Sequence, residues 1–190
     1  MASVSIVIPC HNARAWIRET LDSVGQQHVS DLEVIVVDDG STDGSADLVA
    51  EAFPGVQLVR TKCGGPSRAR NVGTQRAQGA FIQYVDADDL LGSGKLATQL
   101  AELDRTGADV AYGDWCELRP DGRGGFANGA LVQRQIKGNP DVALLSDFWC
   151  PPTAYLFRRS IVERIGMKAK RDMEDLHAAC PNARRPRLST

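Results

Sequence analysis

Apolar and polar positions follow two different periods in the first half of the chain, and each period predicts one type of secondary structure. Four short runs rich in β-branched and other apolar residues have the profile of buried strands. Between these runs, apolar residues recur three or four positions apart, as on one face of a helix. The pattern predicts strands at Ser3–Ile8, Leu32–Val37, Val56–Arg60 and Ala80–Val85, and helices at Ala13–Gln27, Gly44–Phe53 and from Gly64 to about Gln78.

Strands that alternate with helices at this spacing predict a largely parallel sheet covered by helices on both faces. Ser41 or Thr42 is expected to cap the second helix, and Pro66 or Ser67 to lie in the first turn of the third. Farther along, the pattern predicts a helix at Lys95–Thr106, a longer strand at Asp109–Leu118, a turn at Arg119–Gly125, a short helix or loop at Val142–Leu145, a strand at Ala154–Phe157 and a helix at Ser160–Ile165.

Length and charge describe one domain followed by a different kind of tail. A chain of 190 residues is long enough to bury one core, and a net charge of −2 provides no basic field for nucleic acid. Residues 166–190 hold six basic and three acidic residues, although the rest of the chain is acidic overall. The apolar pattern also fades there. We predict one domain at 3–166 and a divergent, poorly ordered tail at 167–190.

Cysteines and apolar stretches predict a cytoplasmic protein. The five cysteines are widely spaced without a Cys-x-x-Cys pair, so a zinc or redox site and a disulfide framework are not indicated. The first residues lack the basic and apolar regions of a signal peptide. The longest apolar stretches, such as Val34–Val37, are strand-sized, far short of the ~20 residues of a transmembrane segment.

Polar residues of chemical interest follow three of the predicted strands. They are Pro9-Cys10-His11-Asn12, Asp38-Asp39 and Asp86-Ala87-Asp88-Asp89. Ligands of parallel α/β sheets bind outside the carboxyl ends of the strands, so these groups should meet at one edge. Each has an alternative interpretation on its own: Asp38-Asp39-Gly40 can be an Asx turn, and His11 a solvated loop residue.

The Asp86-x-Asp88 pair predicts a cation site. Two carboxylates just past a strand can reach one Mg²⁺, which binds one or two carboxylates together with phosphate oxygens. Three acids in four residues also repel each other unless a cation is bound. The alternative is a solvated acidic turn that caps the following helix.

The segment Gly64–Asn71 supplies positive charge. Arg68 and Arg70 fall in the first turns of a predicted helix, where backbone N–H groups favour anions and arginine can hold a phosphate with two hydrogen bonds. Alternatively, both arginines face water. The fingerprints of P-loop and dinucleotide-binding proteins are missing.

Taken in order, these motifs resemble the family-two inverting glycosyltransferases. The resemblance covers about Ser3 to Gly166. Its segments are Ser5–Ala13, Val34–Ser45, Gly64–Gly73, Phe81–Leu91 and, more weakly, Thr153–Gly166. It implies an α/β fold of the GT-A type, a Rossmann-like sandwich with a mostly parallel central sheet and helices on both faces. It also implies a nucleoside-diphosphate sugar donor, usually a UDP-sugar, with Mg²⁺ or Mn²⁺ and a carbohydrate, lipid-linked or other hydroxyl acceptor.

The resemblance also implies roles for individual residues. Asp39, with Asp38 beside it, would hold the base, and Asp86 and Asp88 would hold the metal, Asp88 more directly. Many relatives have Tyr where this chain has His11. The residues implied to contact the nucleotide sugar are Pro9, His11, Asn12, Asp38, Asp39, Arg68, Arg70 and Asp86.

The catalytic base is where the chain departs from the family pattern. Relatives continue past the matching Gly166 with an aromatic residue and then a Glu-Asp pair that carries the base. Here Met167–Lys170 does not match, and Glu174-Asp175 is the candidate pair, with Asp175 as base. A truncated chain or a shifted reading frame would explain the departure. The alternative to an active transferase is therefore a nucleotide-sugar-binding module without catalysis. An Asp-nucleophile phosphatase is disfavoured, because Asp-x-Asp would then follow the first strand.

Overall fold

The computed structural model describes residues 4–122, 125–133, 150–165 and 187–189. Its strands are β1 (Val4–Cys10), β2 (Leu32–Asp39), β3 (Gln57–Thr61), β4 (Phe81–Tyr84), β5 (Asp89–Leu91), β6 (Val110–Tyr112), β7 (Trp115–Pro120), β8 (Phe126–Val132), β9 (Tyr155–Arg158) and β10 (Arg187–Ser189). Its helices are α1 (Ile17–Gly25), α2 (Ser45–Ala52), α3 (Pro66–Arg76), α4 (Lys95–Thr106) and α5 (Arg159–Ile165), with a 3₁₀ turn at Pro152–Ala154.

Six of these strands form the central sheet, in the order β3-β2-β1-β4-β9-β6. β1 pairs in parallel with β2 along Val4–Cys10 and with β4 along Val4–Val7. β2 and β3 are also parallel, whereas β9 runs antiparallel to both β4 and β6. The predicted mostly parallel sheet is confirmed, with antiparallel pairing at one side. The carboxyl ends of β1, β2, β3 and β4 consequently reach the same edge.

Helices cover both faces of this sheet, as predicted. Successive side chains of a strand point to opposite faces, so Ile6 of β1 joins one core and Val7 the other. The first core takes its helical residues from α1, α2 and α4, including Leu21 and Leu103. The second packs α3 and α5 against the sheet through residues such as Ala69.

The prediction of one long strand at Asp109–Leu118 is wrong. The chain forms β6, leaves the central sheet at Gly113-Asp114, and continues as β7 in a second sheet of order β5-β10-β7-β8. The N–H of Gly113 donates to the carbonyl of Ala154 at 3.0 Å, outside the ladder of β7 and β8. Apolar periodicity does not change when a chain passes from one sheet to another, so the sequence pattern could not locate this break.

The hairpin of β7 and β8 was predicted only at its turn. Asp121 N donates to Gly125 O at 3.0 Å, and Gly122 has a positive φ of 74° that suits glycine. β8 was not predicted. None of its seven residues is buried, so it lacks the alternation of apolar and polar positions that identifies a strand.

The start of α2 also differs from the prediction. Neither Ser41 nor Thr42 caps this helix: α2 begins at Ser45, whose N–H donates to Asp43 Oδ1 at 2.9 Å. The hydroxyl of Ser41 instead accepts a hydrogen bond from Asn12 N at 3.0 Å. The predicted start of the third helix is confirmed, because Pro66 is the first residue of α3.

One short part of the predicted tail is described. Arg187–Ser189 forms β10, which lies between β5 and β7 and differs from the predicted lack of order at these three residues. The open edges of β5 and β7 offer backbone groups that a third strand can satisfy. Asp175 and the short element predicted at 142–145 lie outside the described residues. Within the described part, no helix is long and apolar enough to cross a membrane.

Candidate active site

Parallel pairing brings the predicted strand ends together at one edge of the central sheet. Cys10 at the end of β1 is in register with Asp38 of β2, and Asp39 is in register with Thr61 of β3. The backbone N–H of Val85, just past β4, donates to the Val7 carbonyl at 3.1 Å. The three polar segments therefore flank one another, as the sequence predicted.

His11 and Asn12 form a tight loop fastened to the end of β2. His11 Nδ1 donates to the carbonyl of Asp39 at 2.8 Å, since a carbonyl oxygen can only accept. Asn12 has a φ of 50° and accepts from the N–H of Thr42 through Oδ1 at 2.9 Å, which turns its amide nitrogen toward His11 Nε2 at 3.2 Å. When the His11 ring is neutral and carries its proton on Nδ1, Nε2 accepts a hydrogen bond from the Asn12 amide. Pro9, buried at the end of β1, leads into this loop.

The two carboxylates at the end of β2 are buried and bonded within the protein. Asp38 Oδ1 accepts from Ser41 N at 3.3 Å, the pattern of a turn. Asp39 Oδ2 accepts from the backbone N–H groups of Gly64 and Gly65 at 3.0 and 2.7 Å. Its Oδ1 accepts from the Thr61 hydroxyl at 3.1 Å. Asp39 therefore fixes the loop before α3, a function that the sequence did not indicate.

The first turns of α3 separate the two predicted arginines. Arg70 Nη2 lies 2.6 Å from Asp86 Oδ1, and its side chain is only 13% exposed. Arg70 Nε is buried and has no hydrogen-bond partner among the described residues. Arg68 is exposed and donates to the Lys62 carbonyl at 2.7 Å. Arg70 rather than Arg68 is thus the arginine that faces the acidic segment.

Tyr84, at the end of β4, helps to hold α3 in this position. Its hydroxyl lies 2.7 Å from Thr74 Oγ1, which donates to the carbonyl of Arg70 at 2.8 Å. Burial raises the pKa of Tyr84, so the phenol stays protonated and neutral.

The acidic segment after β4 is a turn. Asp89 N donates to Asp86 O at 3.0 Å, and the chain then continues directly as β5. Asp86 and Asp88 are partly exposed, whereas the carboxylate of Asp89 is buried and accepts from the Thr153 hydroxyl. Among the described residues, no group of three or more His, Cys, Asp and Glu could hold a metal ion alone.

The carboxylate oxygens at this turn are nevertheless suitable ligands for a hard cation such as Mg²⁺. Mg²⁺ commonly uses one or two carboxylates and takes its other ligands from water and substrate phosphates. Asp86 and Asp88 provide two carboxylates at a partly open position, and Arg70 provides a cation beside Asp86. The arrangement is suited to a ligand that brings its own phosphate oxygens.

The chain matches a known protein family over most of its length. The model of "Glycosyl transferase family 2" matches residues 5–166, most of the chain. The protein belongs to glycosyltransferase family 2. The expected GT-A type of α/β fold is confirmed by solved structures of similar architecture.

Curated relatives share the match over different lengths. The uncharacterized glycosyltransferase EpsJ of Bacillus subtilis is 29% identical over an alignment of 182 residues that covers 90% of this chain and 52% of EpsJ. The poly(ribitol-phosphate) β-N-acetylglucosaminyltransferase TarS of Staphylococcus aureus is 34% identical over an alignment of 116 residues that covers 58% of this chain and 20% of TarS. The chain thus corresponds to about half, or less, of these relatives' length.

Two solved structures illustrate the fold. The S. aureus TarS fragment 1-349 in complex with UDP has a TM-score of 0.68 and 26% identity, and the match covers 99% of this chain and 57% of TarS 1-349. The mannosyltransferase PcManGT of Pyrobaculum calidifontis, solved with GDP-Man and Mn²⁺, has a TM-score of 0.61 and 24% identity. That match covers 93% of this chain and 50% of PcManGT.

Proposed function

We propose that this chain binds a UDP-sugar with Mg²⁺ or Mn²⁺ and transfers the sugar, with inversion, to the hydroxyl of a carbohydrate, lipid-linked or other acceptor. The observation that supports this best is the contact between Arg70 and Asp86 at the edge where β1, β2 and β4 end. The contact joins a cation to one of two partly exposed carboxylates, Asp86 and Asp88, and these charges support binding of a diphosphate with its metal.

The nucleoside would lie toward the β1 and β2 side of this edge. Asp39 and the loop of His11 and Asn12 are joined there by hydrogen bonds, and they present polar groups at the family's base-binding position. The TarS fragment solved with UDP is 26% identical to this chain, which favours uridine as the nucleoside.

The diphosphate would lie toward α3 and the acidic turn. Arg70 would donate to its oxygens through the guanidinium, including the buried Nε, which has no partner within the described part of the chain. Asp86 and Asp88 would hold the metal, which when bound would stabilise the departing diphosphate as a Lewis acid. Asp175, outside the described residues, would accept the proton of the acceptor hydroxyl as general base.

Nucleotide and metal titrations test this proposal. UDP should raise the melting temperature in Mn²⁺ and raise it much less in EDTA, because at a given concentration a ligand that binds the folded state more tightly stabilises it more. Asp104→Ala is the matched control, since Asp104 is an exposed carboxylate on α4, distant from the turn in sequence. Equal stabilisation by UDP in Mn²⁺ and in EDTA would contradict the proposed metal site.

Turnover separates the active enzyme from a binding module. If donor and metal bind but no UDP is released with any acceptor or with water, the chain acts as a nucleotide-sugar-binding module. If UDP is released, Asp175→Asn should lower the rate by ~100-fold or more, the scale of general-base catalysis. The cytoplasmic location of this protein stays a prediction from the sequence.

A further inference from the structure

We infer that Thr153 and Thr20 are positioning residues that hold the Asp86–Asp89 turn from two sides, so that Asp86 and Asp88 are directed at one cation. This inference rests on the proposed function, because it requires that these carboxylates bind a metal. Neither threonine belongs to the segments that follow the strands, and neither is expected to touch the nucleotide sugar.

Thr153 holds the turn from the side of β9. Its hydroxyl is fully buried, accepts from the N–H of Asp86 at 3.3 Å and donates to the carboxylate of Asp89. One side chain therefore bonds both the first and the last residue of the turn. Because Asp89 is also buried, removal of the hydroxyl would leave a carboxylate and an N–H without this partner.

Thr20 holds the same turn from the side of α1. Its buried hydroxyl donates to the carbonyl of Ala87, between the two proposed metal ligands, at 2.9 Å. Two other residues in and just after α1 bond the next part of the chain: Ser23 Oγ accepts from Leu91 N at 3.0 Å, and Gln27 Nε2, two positions past the end of α1, donates to Gly92 O at 2.9 Å. Thr20, Ser23 and Gln27 are all buried.

A buried polar network supports Thr153 in turn. The amide of Gln83 on β4 donates to the Thr153 carbonyl at 3.1 Å, and the amide of Gln99 on α4 donates to the Ala154 carbonyl at 2.9 Å. Lys95 donates to the side-chain oxygens of both glutamines. The 3₁₀ turn that carries Thr153 is therefore fixed to β4 and α4, so its hydroxyl has little freedom to move.

Such support matters because the proposed cation demands a fixed geometry. Mg²⁺ requires near-octahedral ligand positions, and hydrogen-bonded neighbours of the ligands set those positions in metal sites. Loss of such a neighbour commonly lowers metal affinity 10–100-fold. Thr153 bonds the backbone N–H of Asp86, and Thr20 bonds the backbone carbonyl of Ala87. Each threonine should therefore affect metal binding more than nucleotide binding.

The test compares UDP affinity with and without metal in the full chain. Calorimetry gives the metal coupling factor, the ratio of the UDP Kd in EDTA to that in saturating Mn²⁺. Thr153→Val should lower this factor by about 10-fold or more while the Kd in EDTA stays within about twofold, as expected for a neighbour of metal ligands. Thr153→Ser, which keeps the hydroxyl, should restore it. Thr20→Val is an independent variant from another element and should lower the factor in the same direction.

Ser5→Ala is the matched control for loss of a buried hydroxyl. Ser5 Oγ is fully buried at the opposite end of β1, where it donates to Glu33 and accepts from Gly79 N at 2.8 Å. This variant should lower the melting temperature and leave the coupling factor unchanged. The inference is overturned if wild type shows metal coupling and both valine variants retain it. A wild type without metal coupling would overturn the proposed metal site and this inference together.

Discussion

The guanidinium of Arg70 lies 2.6 Å from the Asp86 carboxylate, so one of the two proposed metal ligands already forms an ion pair within the protein. The side chains are 13% and 33% exposed, and this partial burial reduces screening by water. Binding of metal and diphosphate would replace the Arg70–Asp86 ion pair by two new interactions, one between Arg70 and phosphate and one between Asp86 and the metal. The pair holds both side chains in place before the ligand arrives.

Arg70→Met should consequently affect nucleotide and metal in different ways. UDP affinity in EDTA should fall about 10-fold or more, since charge-assisted hydrogen bonds contribute roughly 1.5–3 kcal/mol. Affinity for Mn²⁺ without nucleotide should not fall, because Asp86 loses its competing cation. Arg68→Met is the control: it removes an exposed arginine two positions earlier on α3, bonded to the Lys62 carbonyl. Similar losses of UDP affinity in both variants would contradict a specific role for Arg70.

Calorimetry should also show that Asp39 and Asp88 have different functions, one in uridine binding and the other in metal binding. Asp39→Ala removes the acceptor that holds the backbone N–H groups of Gly64 and Gly65, and we expect weaker uridine binding. The Gly64 and Gly65 amides should also exchange hydrogen faster, since local unfolding needs less free energy when this contact is lost. Asp88→Ala should abolish the Mn²⁺ effect and leave uridine affinity nearly unchanged. The opposite pattern would mean that the two roles are reversed.

The sequence predicted that the polar strand ends meet at one edge, because short-range patterns determine the strands and their ends. The β1, β2 and β4 strands are short apolar runs with polar residues at their ends, and parallel pairing then brings Asp39 and Asp86 to one edge. No long-range information is needed for that step. Pro66 fixes the start of α3 for the same reason, because proline is favoured at the first position of a helix.

Contacts between segments far apart in sequence could not be predicted. Thr153 bonds Asp86 and Asp89 from more than 60 positions away, and a single threonine before a strand carries no signal of that partnership. The choice between Arg68 and Arg70 likewise depends on which side of α3 faces the sheet. Buried Ala69 and exposed Arg68 settle that orientation only once the fold is known.

Close packing of α3 on the sheet gives a further prediction. A Cβ at Gly73 would lie 2.3 Å from Val7 Cγ1 and 3.3 Å from Val37 Cγ2, so in Gly73→Ala either α3 or the buried Val7 side chain must shift. Overpacking of this kind costs about 1–3 kcal/mol of unfolding free energy. Because Arg70 is one turn earlier on α3, UDP affinity should fall as well. Both quantities can be measured by urea unfolding and calorimetry.

Gly25→Ala is the matched control for this helix glycine. Gly25 is the last residue of α1, and a Cβ there would meet no atom within 4 Å. The substitution should be neutral or stabilise by up to about 1 kcal/mol, the difference in helix propensity. If Gly73→Ala proved as harmless as Gly25→Ala, the close approach of α3 to β1 would be wrong.

Lys95 makes stability depend on pH. Its side chain is buried, its ammonium donates to the side-chain oxygens of Gln83 and Gln99, and burial lowers its pKa from 10.5 to about 7. Unfolded chains keep this lysine protonated up to about pH 10, whereas the folded protein releases the proton above about pH 7. The unfolded state therefore binds more protons between these values, so the free energy of unfolding rises with pH.

The useful window for measuring this effect lies between pH 7.5 and about 8.5. There the free energy of unfolding should increase by about 1 kcal/mol per pH unit, close to the limit for one proton. At higher pH the Cys10 thiol, whose pKa is raised by burial to about 12, contributes with the opposite sign. Lys95→Met should flatten the dependence in urea unfolding, whatever its effect on absolute stability. Lys62→Met, at an exposed lysine, should retain the wild-type slope. A Lys95→Met variant with the wild-type slope would show that another group takes up the proton.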